Sequence, residues 1–159
     1  YSIWFKKSRF AWLPYLVALP LLPIWVAVTL DRFEPALLLL FPLGALAVLG
    51  VQVAQSVPDI EEDRAVGIES VTTRLGERRT LLFCWATILA SMLLTGLSVW
   101  IIEGSNWPMT IASLIVVGLV AFDVILYRTR PRSGVMAAFP CIAGAVATLA
   151  LAWVGAIYR

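Results

Sequence analysis

Four carboxylates and an arginine crowd the stretch Pro58-Asp59-Ile60-Glu61-Glu62-Asp63-Arg64-Ala65-Val66-Gly67-Ile68, which has long apolar sequence on either side. Charge this dense at a membrane surface points to a site for cations or phosphate. The spacing Asp59-x-x-x-Asp63 places two carboxylates one helical turn apart on one face. Such a pair suits Mg²⁺, which takes one or two protein carboxylates and fills its other positions with water and substrate phosphate. If the helix ahead of it continues past Pro58 with a kink, Gln55, Asp59 and Asp63 fall at i, i+4 and i+8 and form one oxygen-rich stripe for metal. The bound metals would in turn hold a diphosphate. Ser56-x-x-Asp59 also fits a helix N-cap, which would leave Glu61, Glu62 and Glu69 on an ordinary solvated loop helix.

The surrounding elements must hold this segment at a membrane surface. The chain has 159 residues, 61% of them hydrophobic and 14% charged, with a mean hydropathy of +0.91. A soluble domain of this length carries more charge. The apolar runs reach or exceed the roughly 18 residues that read as a transmembrane helix. The sequence therefore predicts an all-α, polytopic membrane bundle forming a single domain over residues 1–159. Five spans are expected, at about Ala11 to Leu30, Pro35 to Val57, Thr80 to Ile102, Pro108 to Tyr127 and Val135 to Tyr158. Pro14, Pro20 and Pro23 predict a kink in the first, and Pro35 and Pro108 sit at helix starts. Gly144, Ala145, Ala147, Ala150, Ala152, Gly155 and Ala156 suggest close helix packing in the last.

Of the 12 Lys and Arg residues, only Arg32 and Arg159 lie at one set of span ends. The others, including Lys6, Lys7, Arg64, Arg74, Arg78, Arg79, Arg128 and Arg130, gather at the opposite ends. By the positive-inside rule those ends are cytoplasmic. Trp12 then fits the inner interfacial belt, and Trp25, Trp100, Trp107 and Trp153 the outer one. The acidic segment faces the compartment where Mg²⁺ and phosphorylated metabolites are available. Lys6, Lys7, Arg74, Arg78 and Arg79 share its side and can neutralise phosphate oxygens left uncovered by metal.

The absence of His excludes the usual zinc, haem and Ser-His-Asp chemistries. No basic tract suggests nucleic acid. Cys84 and Cys141 lie inside apolar runs and read as buried small side chains. Asp123 is a carboxylate well inside a span, about one turn from its cytoplasmic end. It reads either as an interfacial ion pair with Arg128 or Arg130 or a side chain snorkelling to the interface, or as an acceptor-side or proton-accepting group in a cavity.

The string from Pro58 to Gly76 resembles the second aspartate-rich motif of the UbiA-type intramembrane prenyltransferases, through Asp59, Asp63, Gly67, Ile68, Ser70, Val71, Leu75 and Gly76. Tyr1 to Lys6, followed by Trp12-Leu13-Pro14-Tyr15, resembles that family's Tyr…Lys loop and the helix after it. The resemblance implies a nine-helix fold of which this chain supplies the last five. It implies Mg²⁺-dependent transfer of a polyprenyl group from its diphosphate to a lipophilic, often aromatic, acceptor in the bilayer. Asp59, Asp63 and Gln55 would then hold metal, Lys6 and Arg74 would contact diphosphate, and Tyr1 would assist its departure. A first motif of the form N-D-x-x-D-x-x-x-D is not found in these 159 residues. With Tyr1 in place of Met, this leads to the expectation that an N-terminal half is missing and that the chain alone is inactive. Alternatives are a terpene cyclase on the same scaffold, and a non-catalytic scaffold or transporter half.

Overall fold

A computed structural model describes residues 13–68, 70–103 and 106–157. Seven α-helices and a short 3-10 helix carry the described chain, and no strand occurs among the described residues. Helix α1 spans Leu13–Thr29 and runs through Pro20 and Pro23. The 3-10 turn Pro35–Leu39 leads into α2, Leu40–Gln55. Two short helices follow, α3 at Ile60–Ala65 and α4 at Val71–Leu75. The long helices α5, α6 and α7 span Glu77–Ile101, Asn106–Thr129 and Pro131–Ile157.

The segments Pro35–Gln55, Glu77–Ile101, Asn106–Thr129 and Pro131–Ile157 contain 21, 25, 24 and 27 residues and are apolar enough to cross a bilayer. At about 1.5 Å per residue each covers a hydrocarbon layer of about 30 Å. The first expected span appears as a shorter apolar helix. The protein is a multi-pass membrane protein, and the expected all-helical bundle is what the chain forms.

The bundle packs by small residues. Helices α6 and α7 are joined through Arg130 alone and lie against each other along their length. At the turn, a Cβ on Gly134 would overlap the backbone of Tyr127, so glycine sets how closely the two helices meet. A Cβ on Gly50 of α2 would come 2.6 Å from Thr87 Oγ1 of α5. The buried face of α5 carries Thr80, Thr87, Ser91, Thr95 and Ser98. Each hydroxyl donates to a carbonyl of the preceding turn at 2.6–2.8 Å. This polar face needs no water, and its small side chains let α2 and α7 come close.

Trp153 departs from its expected place in an interfacial belt. It is fully buried, and its indole N–H donates to Ser98 Oγ at 2.9 Å, tying α7 to α5. Trp25, Trp100 and Trp107 are exposed, as lipid-facing or interfacial indoles are. The small residues of α7 divide between two faces. Ala145 and Ala156 are buried, whereas Ala147, Ala150 and Gly155 face outward.

Candidate functional site

Helix α2 does not run on through the acidic segment. Pro58 has no N–H to offer the carbonyl of Ala54 and disfavours helical backbone at Val57. The Ala54 carbonyl instead accepts from Val57 N at 3.3 Å, and the Val57 carbonyl from Ile60 N at 3.4 Å. The chain therefore turns between Gln55 and Ile60. The continuous helical stripe of Gln55, Asp59 and Asp63 expected from sequence is interrupted here. Gln55 is the exposed last residue of α2, and Asp59 occupies the N-cap position of α3.

Asp59 and Asp63 keep their one-turn relation, because Asp63 N–H donates to the Asp59 carbonyl at 2.8 Å. Asp59 is exposed and Asp63 half-buried. The Asp59 side chain makes no capping bond, and the Ser56 hydroxyl bonds back to the Gln52 carbonyl at 3.2 Å. The Ser56-x-x-Asp59 cap therefore does not form: Ser56 is the C-cap of α2, and Asp59 itself takes the N-cap position of α3 with its carboxylate making no capping bond. Glu61 and Glu62 are exposed.

The turn that carries Asp59 is anchored from below. Val57 and Ile60 bracket it and are buried in a small apolar cluster with Leu81 of α5 and Val135 and Ala138 of α7. Trp85 and Tyr127 pack against that cluster. Burying two apolar side chains on either side of one aspartate fixes its height relative to the bundle.

The segment after α3 closes into a hydrogen-bonded knot. Gly67 and Gly76 have φ of +73° and +76°, which disfavours any residue with a Cβ. Ser70 and Thr73 form a reciprocal capping box on α4, with Thr73 N donating to Ser70 Oγ at 3.1 Å and Ser70 N to Thr73 Oγ1 at 2.8 Å. Arg64 Nη2 donates to the Thr73 carbonyl at 2.7 Å and braces α3 against α4. The residue after Thr73 is Arg74, exposed on α4. Arg64 thus joins the element with the two aspartates to the element with the nearest expected phosphate contact. Tyr1 and Lys6 lie outside the described residues.

Among the described residues, no group of three or more His, Cys, Asp or Glu side chains converges on a metal position. A cation held by Asp59 and Asp63 would have to take its other ligands from outside these side chains. That suits Mg²⁺, which completes its octahedron with water and phosphate oxygens.

Among the described residues, Asp123 pairs with no arginine. Arg128 follows it by five residues, roughly 140° further around the helix, and is exposed. Asp123 is instead fully buried, and Trp85 Nε1 donates to its Oδ2 at 2.8 Å. Its Oδ1 has no partner among the described residues.

A model of the UbiA prenyltransferase family matches residues 1–151. The chain belongs to the UbiA prenyltransferase family. Prenyl transfer from a diphosphate is the general chemistry of UbiA enzymes, which generally use Mg²⁺. Over 45 residues the chain is 47% identical to a lycopene elongase/hydratase of Haloferax volcanii. That stretch covers 28% of this chain and 15% of the relative. No solved structure matches the chain. The UbiA motif residues Gly67, Ser70 and Gly76 acquire local physical roles here, as two left-handed turning points and a helix cap. The bracing role of Arg64 and the anchoring roles of Val57 and Ile60 were not read from sequence. The signal for the last two was present, as apolar residues flanking Pro58-Asp59 in a charged run.

Proposed function

We propose that this UbiA-family chain contributes the second carboxylate pair of a site that transfers a prenyl group from its diphosphate to a lipophilic acceptor in the bilayer. One observation carries this: Asp59 and Asp63 stand a turn apart at one end of the bundle, and neither carboxylate has a hydrogen-bond or ion-pair partner among the described residues. Asp59 and Asp63, with Gln55 as a further oxygen donor, hold Mg²⁺ in this scheme. Bound Mg²⁺ supplies positive charge that stabilises the departing pyrophosphate. Arg74 and Lys6 bind phosphate oxygens, and Tyr1 donates a hydrogen bond to the leaving group. The C1–O bond breaks with its electron pair going to pyrophosphate. The acceptor's electron pair forms the new bond to C1, and the acceptor releases a proton. Partners are the polyprenyl diphosphate, the acceptor, the bilayer and a segment carrying the first aspartate-rich motif. The acidic end faces the cytoplasm, in keeping with the distribution of Lys and Arg. The similarity to a lycopene elongase/hydratase of Haloferax volcanii makes lycopene the first acceptor to offer.

The test uses protein expressed from its complete coding sequence, a radiolabelled prenyl diphosphate, and assays with and without acceptor. Asp59→Asn and Asp63→Asn are each expected to abolish Mg²⁺-dependent turnover with membrane insertion intact. Near-normal turnover in both would remove the pair from the site. Product formed without acceptor would indicate the cyclase alternative, and the lack of any turnover by the unmodified protein the scaffold or transporter alternative.

A further inference from the structure

Asp123 takes no part in the site as built so far, yet it sits fully buried in α6 with one carboxyl oxygen lacking a partner among the described residues. An unsatisfied polar atom in an apolar interior is destabilising. The same bundle ties another indole, Trp153, with the neutral hydroxyl of Ser98. A simple tie between α5 and α6 therefore does not require a carboxylate.

The partner of Asp123 shows where its effect is felt. Trp85 is half-buried and packs against both apolar clusters, the large one inside the bundle and the small one beneath the acidic turn. Its ring meets Tyr127 edge-on, with centroids 6.2 Å apart and planes at 67°. Tyr127 packs against the same small cluster. That cluster contains Val57 and Ile60, the two anchors of the turn bearing Asp59.

We propose that Asp123 is a positioning residue for the cation–diphosphate site: by holding the Trp85 indole it fixes the apolar platform on which Asp59 stands. The proposal rests on the reading of Asp59 and Asp63 as metal carboxylates. It accounts for a carboxylate kept inside a membrane span without an ion-pair partner among the described residues, and it links the interior of the bundle to its rim through one hydrogen bond and two sets of packing contacts.

The experiment uses the protein reconstituted in liposomes. Binding of geranylgeranyl S-thiolodiphosphate, an unreactive analogue, is measured against Mg²⁺ concentration, and the thermal unfolding midpoint is recorded in parallel. Asp123→Leu and Trp85→Phe each remove the hydrogen bond, whereas Asp123→Asn keeps an oxygen for the indole to donate to. The first two are expected to raise the Mg²⁺ needed for half-maximal binding about ten-fold. Asp123→Asn is expected to stay within about two-fold of the unmodified protein. An unchanged Mg²⁺ requirement in Trp85→Phe and Asp123→Leu, whatever their thermal stability, overturns the proposal. So does an Asn variant as impaired as the Leu variant. Should Asp123→Leu fail to fold, Trp85→Phe and Asp123→Asn decide the matter. Asp59→Asn is run beside them. If its Mg²⁺ dependence is unchanged, the reading of the carboxylate pair falls and this proposal with it. If it loses Mg²⁺-dependent binding while the other variants behave normally, this proposal alone falls.

Discussion

Asp59 and Asp63 face different constraints although they share one helical face. Asp59 stands exposed at a turn, so its carboxylate has room to move. Asp63 is half-buried within α3, and its carbonyl accepts from Ile68 N at 2.8 Å. Lengthening the side chain by one methylene is therefore expected to be tolerated better at the first position. Asp59→Glu should retain more Mg²⁺-dependent binding of a prenyl diphosphate analogue than Asp63→Glu, as a titration of both variants would show. Glu61 and Glu62 project into solvent, where their charges are screened. The pair Glu61→Gln and Glu62→Gln should leave the same titration within about two-fold of the unmodified protein. A larger loss would place those carboxylates on the metal.

At the scale of elements, the knot between α3 and α4 is held by local bonds and by two glycines in left-handed backbone. Gly67→Ala and Gly76→Ala should each cost about 1 kcal/mol. Arg64→Gln removes the charged brace to the Thr73 carbonyl, a bond on an exposed side chain, at a cost of about 1 kcal/mol. These losses are local, so hydrogen exchange should quicken in residues 70–76 and stay unchanged within α5, α6 and α7. Uniform quickening across the bundle would contradict that. The long helices were legible because uninterrupted apolar runs of about 20 residues have few other readings. Gly67 and Gly76 were legible as motif glycines. The course of the chain at Pro58 was not, since a proline can either kink a helix or end it, and the choice depends on where Val57 and Ile60 find burial. The bond between Trp85 and Asp123 was hidden for another reason. Its partners are 38 residues apart on different helices, and no periodicity marks such a pair.

For the whole molecule, the crowding of basic residues at one set of helix ends can be tested directly. Cys84 and Cys141 are buried and give little background to a membrane-impermeant maleimide. Cysteines introduced as Glu61→Cys and Arg132→Cys should react from one face of the membrane, and Glu34→Cys from the other. Labelling of all three from one face would refute the assigned topology. The 159 residues contain the second aspartate-rich motif and not the first. Alone in detergent they are expected to show no prenyl transfer, and robust turnover would mean that one aspartate pair suffices. Membership of the family was legible in a few residues of the 59–76 segment, because Asp, Gly and Ser there meet demands of charge and backbone that few other residues meet. The acceptor was not legible, because it depends on the shape of a chamber assembled from many helices.

The hydroxyl-lined face of α5 bears on how such a chain is made. Thr87, Ser91, Thr95 and Ser98 donate to carbonyls of their own helix and Thr80 to that of its N-cap Gly76, so none depends on a neighbouring helix. This segment can leave the translocation channel for lipid by itself, with its polar groups already satisfied. Its docking against α2 and α7 is then a later event, driven by surface fit and free of any need to strip away water.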